Sequence, residues 1–223
     1  SADSIALMGD KVAARARVQS LGVPVVPGSE GTFVDAGEAA ASSSEIGYPV
    51  LLKARFGGGG RGMRIAIDAD QFAGQFAEAR GEAEAAFGDG GIYLERFFPD
   101  VHHVEVQVFG DSHGNVHHLW ERDCTVQRRH QKLVEESPSP VLDSETREKM
   151  CTTAETVAMG IGYVSAGTVE FLYDSTDRSF YFIEMNTRIQ VEHPVTEVLT
   201  GTDLVAEQLA VAAGERLSFA DRA

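Results

Sequence analysis

F-Y-F-I-E-M-N-T-R-I-Q-V-E-H-P, residues Phe180–Pro194, is the stretch whose reading decides the fold. Phe180–Met185 is rich in aromatic and β-branched residues and predicts a strand. Successive side chains on a strand point to opposite faces, so Phe182, Glu184 and Asn186 are expected on one side, with Arg188, Gln190 and Glu192 following at the same spacing. Upstream, Ser165–Tyr173 (S-A-G-T-V-E-F-L-Y) predicts a partner strand, and Asp174–Ser179 a turn. Placing Glu170 opposite Glu184 gives a hairpin with Tyr173 facing Tyr181 and a loop of roughly five residues.

That register sets two carboxylates side by side with an amide oxygen next in line. Like charges opposed across a ladder are destabilising, and burial raises the cost. A divalent cation between them removes the conflict, and an all-oxygen donor set suits Mg²⁺ or Mn²⁺. Any one of these acids alone reads more readily as part of a solvated sheet face. Glu170, Glu184, Asn186, Arg188 and Glu192 together point to a metal and an anion.

The chain has 223 residues, 43% of them hydrophobic, enough to bury a full core as one large domain or two small ones. No apolar run approaches the ~20 residues that span a bilayer. The opening residues S-A-D-S-I-A-L-M-G-D-K resemble neither a signal nor a transit peptide, and Cys124 and Cys151 are too few for a disulfide framework. A cytoplasmic protein with no membrane partner is therefore expected. The net charge of −15 argues against a nucleic-acid partner. Against that acidic background, Q-R-R-H-Q-K at Gln127–Lys132 stands out as either a local anion site or a solvated basic loop.

Asp10 is expected to cap a helix over Lys11–Leu21 that stops at Gly22, and Asp35 with Glu38 to open a second that ends at Gly47. Tyr48–Ala54 reads as a buried strand carrying one lysine, Lys53. Next comes G-G-G-G-R-G at Gly57–Gly62, then a strand over Met63–Ile67 and a helix from Asp68 to about Phe87. Dinucleotide folds and Walker loops place their glycines between a strand and a helix. Here the glycines join two strands without a G-K-[ST] ending, so a flap of backbone N–H groups closing over phosphates fits better. Lys53, an ammonium in an apolar strand, needs an anionic partner and strengthens that reading.

Gly91–Phe98 predicts a strand leading into a turn. His103–Phe109 alternates, putting His103, Glu105 and Gln107 on one face and Val104, Val106 and Val108 on the other. Val116–Glu121 returns from a turn at Gly110–Asn115. Asp143–Gly162 reads as a helix capped by Ser144, and Asp203–Ala213 as a last amphipathic helix. Among the histidines, His103 and His130 are the candidate functional ones, and no pair has zinc-site spacing.

Taken together, five stretches resemble the ATP-grasp domain of biotin carboxylase, the ATP-using component of acetyl-CoA, propionyl-CoA and pyruvate carboxylases. They are L-M-G-D-K (7–11), K-A-x-x-G-G-G-G-R-G-M-R (53–64), H-V-E-V-Q (103–107), E-R-D-C-x-x-Q-R-R-H-Q-K (121–132) and E-M-N-T-R-I-Q-V-E-H-P (184–194). Carbamoyl-phosphate synthetases share E-x-N-x-R but not the Q-R-R-H-Q-K run. The resemblance implies an α+β ATP-grasp fold in which two subdomains with antiparallel sheets grip ATP beneath a glycine-rich flap. It implies a single domain over 1–223, with a flap-bearing subdomain at about 30–98 and a metal and bicarbonate subdomain at about 99–223.

By the same resemblance, Lys11 and Lys53 would hold ATP phosphates beneath Gly59 and Gly60, and Met63 with Glu95, Arg96, Phe97 and Phe98 would line the adenine pocket. His103, Gln127 and His130 would contact ribose or phosphates. Glu170, Glu184 and Asn186 would hold one or two Mg²⁺ or Mn²⁺ ions. Lys132, Arg188, Gln190 and the backbone of Val191 would bind bicarbonate, and Glu192 would be its general base. Lys132, Arg188 and Glu192 are thus the expected catalytic set. The implied activity is ATP-dependent carboxylation of biotin, which a carrier domain would present, with a carboxyltransferase as further partner in an oligomeric assembly.

Two residues depart from the family pattern: Phe56 where a small residue is usual, and Arg96 where lysine is common. The family's N- and C-terminal domains have no counterpart in these residues, nor is there an A-M-K-M biotinylation site, so the expectation is a central domain weakly active or inactive alone. Two other functions stand beside this one: a different ATP-grasp ligase, which the joint presence of Lys132, Gln190 and Glu192 disfavours, and a nucleotide-binding module without turnover.

Overall fold

A computed structural model of the protein describes residues 1–56, 63–129 and 131–219. Gly59 and Gly60 of the expected flap, and His130, lie outside the described residues. Along the chain the elements are α1 (Ala2–Gly9), α2 (Lys11–Ser20), β1 (Gly28–Phe33), α3 (Ala36–Ile46), β2 (Val50–Ala54), β3 (Met63–Ala66), α4 (Ala69–Phe87), β4 (Ile92–Arg96) and β5 (His102–Gly110). There follow β6 (Val116–Asp123), the short β7 (Gln127–Arg128) and β8 (Gln131–Lys132), α5 (Ser144–Gly160), β9 (Ser165–Asp174), β10 (Ser179–Asn186), α6 (His193–Thr200) and α7 (Leu204–Ala212).

Aspartate opens most of the helices. Asp10, Asp35, Asp68, Asp143 and Asp203 each accept hydrogen bonds from backbone N–H groups of the first turn, which have no partner inside the helix. Each such cap is worth about 1 kcal/mol. At α5 the cap is Asp143 rather than the expected Ser144. The carboxylate one position earlier reaches Thr146 N at 2.8 Å, leaving Ser144 as the first helical residue.

Two antiparallel four-stranded sheets organise the chain, with strand orders β1-β4-β2-β3 and β10-β9-β5-β6. α3 and α4 cover the first sheet: Phe72, Phe76 and Ala79 pack with Val50, Leu52, Ile92 and Leu94 in a closed core. The second sheet has one apolar face, where Val104, Val106, Phe171, Phe180 and Phe182 pack against Met150, Ala154 and Val157 of α5 and Ala14 and Val18 of α2. The N-terminal helices thus join the core of the second sheet. Phe182 N donates to Pro24 O at 2.8 Å, fastening the 22–27 segment to β10.

The β9–β10 hairpin holds the expected register where it matters and departs from it near the turn. Glu170 faces Glu184, Val169 faces Met185 and Thr168 faces Asn186. On the turn side of a bulge between Phe182 and Glu184, the pairing slips by one, so Tyr173 faces Phe180, not Tyr181. The extra residue reverses side-chain direction. Phe180, Phe182 and Met185 therefore share the apolar core, while Glu184 lies on the face opposite Phe182, not the same face as expected.

The other face of the second sheet is polar at its centre. His103, Glu105 and Gln107 of β5 lie beside Glu170 and Thr168 of β9, with Glu184 and Asn186 beyond on β10. At one end Phe109 and Ala166 continue this face beneath Leu204 and Val211 of α7, which seals it with apolar contact. Among the described residues no helix is long and apolar enough to cross a membrane.

Candidate functional site

Lys132 is the hub of the polar face. β8 carries it over the second sheet, where its Nζ donates to Glu192 at 2.6 Å and Glu170 at 3.1 Å and forms a further ion pair with Glu105. Burial acts to lower the Lys132 pKa, but the surrounding Glu170 and Glu105 outweigh it and hold the ammonium charged well above the usual lysine range. Burial likewise opposes ionisation of Glu192, yet the bond from Lys132 brings its pKa below the usual carboxylate range. Glu192 is thus held in the form that accepts a proton.

Glu170 collects most of the donors. Its Oε1 accepts from Asn186 Nδ2 at 2.8 Å and Gln190 Nε2 at 3.2 Å as well as from Lys132. His103 Nε2 lies 2.9 Å from the other oxygen, an ion-pair distance. Burial would raise the Glu170 pKa, but His103 and Lys132 hold it at about 2. Facing it on the next strand, Glu184 is pushed up, first by burial and then by the Glu170 charge. The expected conflict between opposed carboxylates is therefore real. Two carboxylates and an amide whose N–H side is turned to Glu170, leaving Oδ1 as the donor atom, form an oxygen set that fits a hard divalent cation. Two other sets present donor atoms within 4.8 Å of one another, His103 with Glu105 and Glu170, and Glu105 with Cys124 and Glu192, but Lys132 already supplies positive charge to the carboxylates of both.

Lysines from two other elements reach toward Glu184. Lys11, at the start of α2, has its pKa lowered by burial and by the like charge of Lys53, while Glu184 and Glu95 act in the opposite sense. Lys53 on β2 is buried and forms an ion pair with buried Glu95 of β4. The anionic partner that Lys53 requires is thus a carboxylate of the same sheet. Met63 is the Cα partner of Lys53 across β2 and β3, so Lys53 lies between Met63 and its ion-pair partner Glu95. Two ammonium groups kept close together, with carboxylates drawn to them, make a site that a polyanion can enter.

The strand end after Glu95 is also ordered. Arg96 N donates to Pro27 O at 2.7 Å and Phe97 N to Pro49 O at 2.9 Å, so these two N–H groups are already used. Phe98 stacks on Tyr181 of β10 with ring centroids 5.4 Å apart and planes 17° apart, joining the two sheets. Gln127, on β7 opposite Lys132, donates to Cys124 O at 2.8 Å.

Arg188 corrects an expectation. Its spacing predicts a place beside Glu192, but β10 ends at Asn186 and the alternation ends with it. The Arg188 side chain is exposed and donates to Ile189 O at 3.2 Å. Among the described residues the cation on Glu192 is Lys132. Val191 is exposed, and Glu192 sits at the cap position of α6.

Two residues of the cluster carry no role in the sequence reading: Glu105 and Arg122, both with no exposed surface. Glu105 was legible, since it lies between His103 and Gln107 on their face. Arg122 pairs with Glu105 across β5 and β6 and donates to its Oε1 at 2.8 Å. An arginine in a strand reads as a solvated edge residue, and only the pairing with Glu105 shows otherwise.

Residues 10–220 match the model of the carbamoyl-phosphate synthase L chain ATP-binding domain, and the chain belongs to that family. Within it, the chain is similar to proteins described as biotin carboxylases. It is 53% identical over 219 residues to biotin carboxylase 1 of Bacillus subtilis, covering 98% of this chain and 49% of that one. A biotin carboxylase complex with β,γ-ATP from Campylobacter jejuni superposes with a TM-score of 0.96 at 49% identity, covering 99% of this chain and 49% of that one. The biotin carboxylase domain of 2-oxoglutarate carboxylase from Hydrogenobacter thermophilus, in complex with MgADP, ADP and bicarbonate, gives 0.93 at 52% identity over 97% of this chain and 48% of that one. The fold is ATP-grasp, mixed α+β, as expected. The chain spans about half the length of these relatives.

Proposed function

We propose that this chain is the ATP-grasp domain of a biotin carboxylase, which uses ATP and bicarbonate to carboxylate biotin on a carrier domain. The observation that carries the proposal is the Lys132 cluster: a buried ammonium that keeps Glu192 ionised beside Glu170 and Gln190. The relatives' ATP, MgADP and bicarbonate complexes support it. In this reading the flap-bearing part (about 30–98) and the metal and bicarbonate part (about 99–223) form the two jaws around ATP.

Lys11 and Lys53 bind the phosphates, with the Gly59–Gly60 backbone above them, and Met63 with Glu95–Phe98 lines the adenine pocket. His103, Gln127 and His130 contact ribose or phosphates. Glu170, Glu184 and Asn186 would hold Mg²⁺ or Mn²⁺, and a cation bound there offsets the negative charge of the triphosphate. Lys132, Gln190, Arg188 and the Val191 backbone bind bicarbonate. Arg188, exposed and donating to a neighbouring carbonyl, has the reach of a planar fork that closes on an anion when one arrives.

Glu192 takes the bicarbonate proton. A carbonate oxygen then bonds to the γ-phosphorus as the bond to the β,γ-bridging oxygen breaks and ADP leaves. Lys11 and Lys53 offset the charge that develops. Carboxyphosphate divides into CO₂ and phosphate, the phosphate takes the ureido N–H proton of biotin, and that nitrogen bonds to CO₂. A carboxyltransferase domain or subunit uses the product, in an oligomeric cytoplasmic assembly.

The test is ATP hydrolysis by the full-length protein with bicarbonate and free biotin each added or omitted. Cleavage that requires bicarbonate and rises with biotin is expected. Cleavage driven equally well by another carboxylate would assign the chain to a different ATP-grasp ligase.

A further inference from the structure

We propose that Arg122 is a positioning residue for the anion site: it fixes which end of the Gln190 amide is turned to that site and which oxygen of Glu105 holds the Lys132 ammonium. The proposal rests on the bicarbonate reading above.

Arg122 is wholly buried, and all three guanidinium nitrogens are engaged. Nε donates to Glu105 Oε1 at 2.8 Å. Nη1 donates to Gln107 Oε1 at 2.9 Å and to Thr196 Oγ1 at 2.7 Å. Nη2 lies 3.4 Å from both Thr168 Oγ1 and Gln190 Oε1. From β6 the one side chain therefore reaches β5, β9, the segment after β10, and α6.

A guanidinium donates and never accepts, and it stays charged at any pH a protein survives. Whatever faces it must present an oxygen. The Gln190 amide therefore turns Oε1 to Arg122, which sends Nε2 the other way, to Glu170 Oε1 at 3.2 Å. With the amide reversed, its carbonyl would face a carboxylate and its NH₂ would face a guanidinium. Gln107 is sorted in the same way, its Nε2 going to Gly167 O at 2.9 Å. On Glu105, one oxygen is committed to Arg122, so the other is delivered to Lys132. Arg122 thus sets the direction of a donor and the partner of the ammonium that the anion meets. A buried cation costs desolvation that packed hydrophobic side chains would avoid; here the cost coincides with control over polar orientation at the site.

The experiment uses the full-length protein and reads KM for bicarbonate and KM for ATP separately in bicarbonate-dependent ATP cleavage. Arg122→Lys keeps the charge but loses the fork. It is expected to raise KM for bicarbonate about tenfold, the scale of lost hydrogen bonds to a charged group, with KM for ATP within about twofold of wild type. The Arg122→Lys/Gln190→Ala double variant is expected to be no worse than Gln190→Ala, because coupled residues do not add. Thr196→Val removes a 2.7 Å anchor of the guanidinium without altering charge, and it is expected to move KM for bicarbonate in the same direction by less. ATP and bicarbonate KM values changing in step, or penalties that multiply in the double variant, would show a purely structural arginine. If Arg122→Lys does not fold, Thr196→Val decides: an unchanged KM for bicarbonate overturns the inference. A wild type that cleaves ATP without bicarbonate refutes the underlying reading, and this inference with it.

Discussion

Replacing Lys132 by methionine removes the ammonium shared by Glu105, Glu170 and Glu192 while keeping its aliphatic length. Breaking a buried pair from one side costs about 3–5 kcal/mol, because the surviving charge stays buried. The low end applies here, since Arg122 remains on Glu105 and His103 on Glu170. A loss of about 3 kcal/mol lowers Tm by roughly 6–12 °C for a chain of this size. The pH dependence is more telling than the loss. In the wild type, Glu170 is held at about 2 against an ordinary 4.5, and Glu192 is also lowered. Their stabilisation is therefore complete above the unfolded carboxylate range and fades as pH falls toward 2. The raised Lys132 contributes up to its unfolded value of 10.5 and is lost above it, so the contribution of these three groups is flat over the neutral range. In Lys132→Met the carboxylates repel without a shared cation and their folded pKa values rise. Protonating them on acidification from about pH 8 to pH 5 then restores stability. Urea unfolding across that range should show the deficit shrinking as pH falls. A deficit below about 1 kcal/mol, or one that stays constant across the range, would refute the account of Lys132 as the hub.

Lys53→Met should weaken ATP binding by about 1.5–3 kcal/mol, the scale of a lost charge-assisted contact, as measured by calorimetry on the full-length protein; unchanged affinity removes Lys53 from the phosphate site. Gly110→Ala would put a Cβ 2.2 Å from the Tyr163 carbonyl oxygen, a backbone atom that cannot step aside. The expected cost is about 1–3 kcal/mol in unfolding free energy, and a Tm equal to wild type would contradict the packing of β5 against the 161–164 turn.

The sequence made the second sheet readable because its signals agree. Val104, Val106 and Val108 alternate with His103, Glu105 and Gln107, and both strands of the hairpin carry their carboxylates at a spacing that pairs them. The bulge between Phe182 and Glu184 shows in the sequence only as a break in the apolar period: Phe180 and Phe182 are two apart, and Met185 comes three later. β1, G-S-E-G-T-F, has no alternation to reveal it and becomes a strand because β4 offers it an edge. α6 has a single sequence signal, Pro194 near its start, a position where the missing N–H costs nothing. At the site, residue types showed that acids, a lysine and an amide meet, but not which cation holds which acid. That depends on where β10 stops, and its end at Asn186 takes Arg188 off the alternating face and leaves Glu192 to Lys132.

The most direct measurement is made on Glu192→Gln in the full-length protein, which keeps size and polarity but removes the proton acceptor. Bicarbonate-dependent ATP cleavage should disappear while nucleotide affinity stays at the wild-type value. Cleavage that persists, or affinity that falls in proportion to activity, would contradict the assignment of Glu192 as the bicarbonate base.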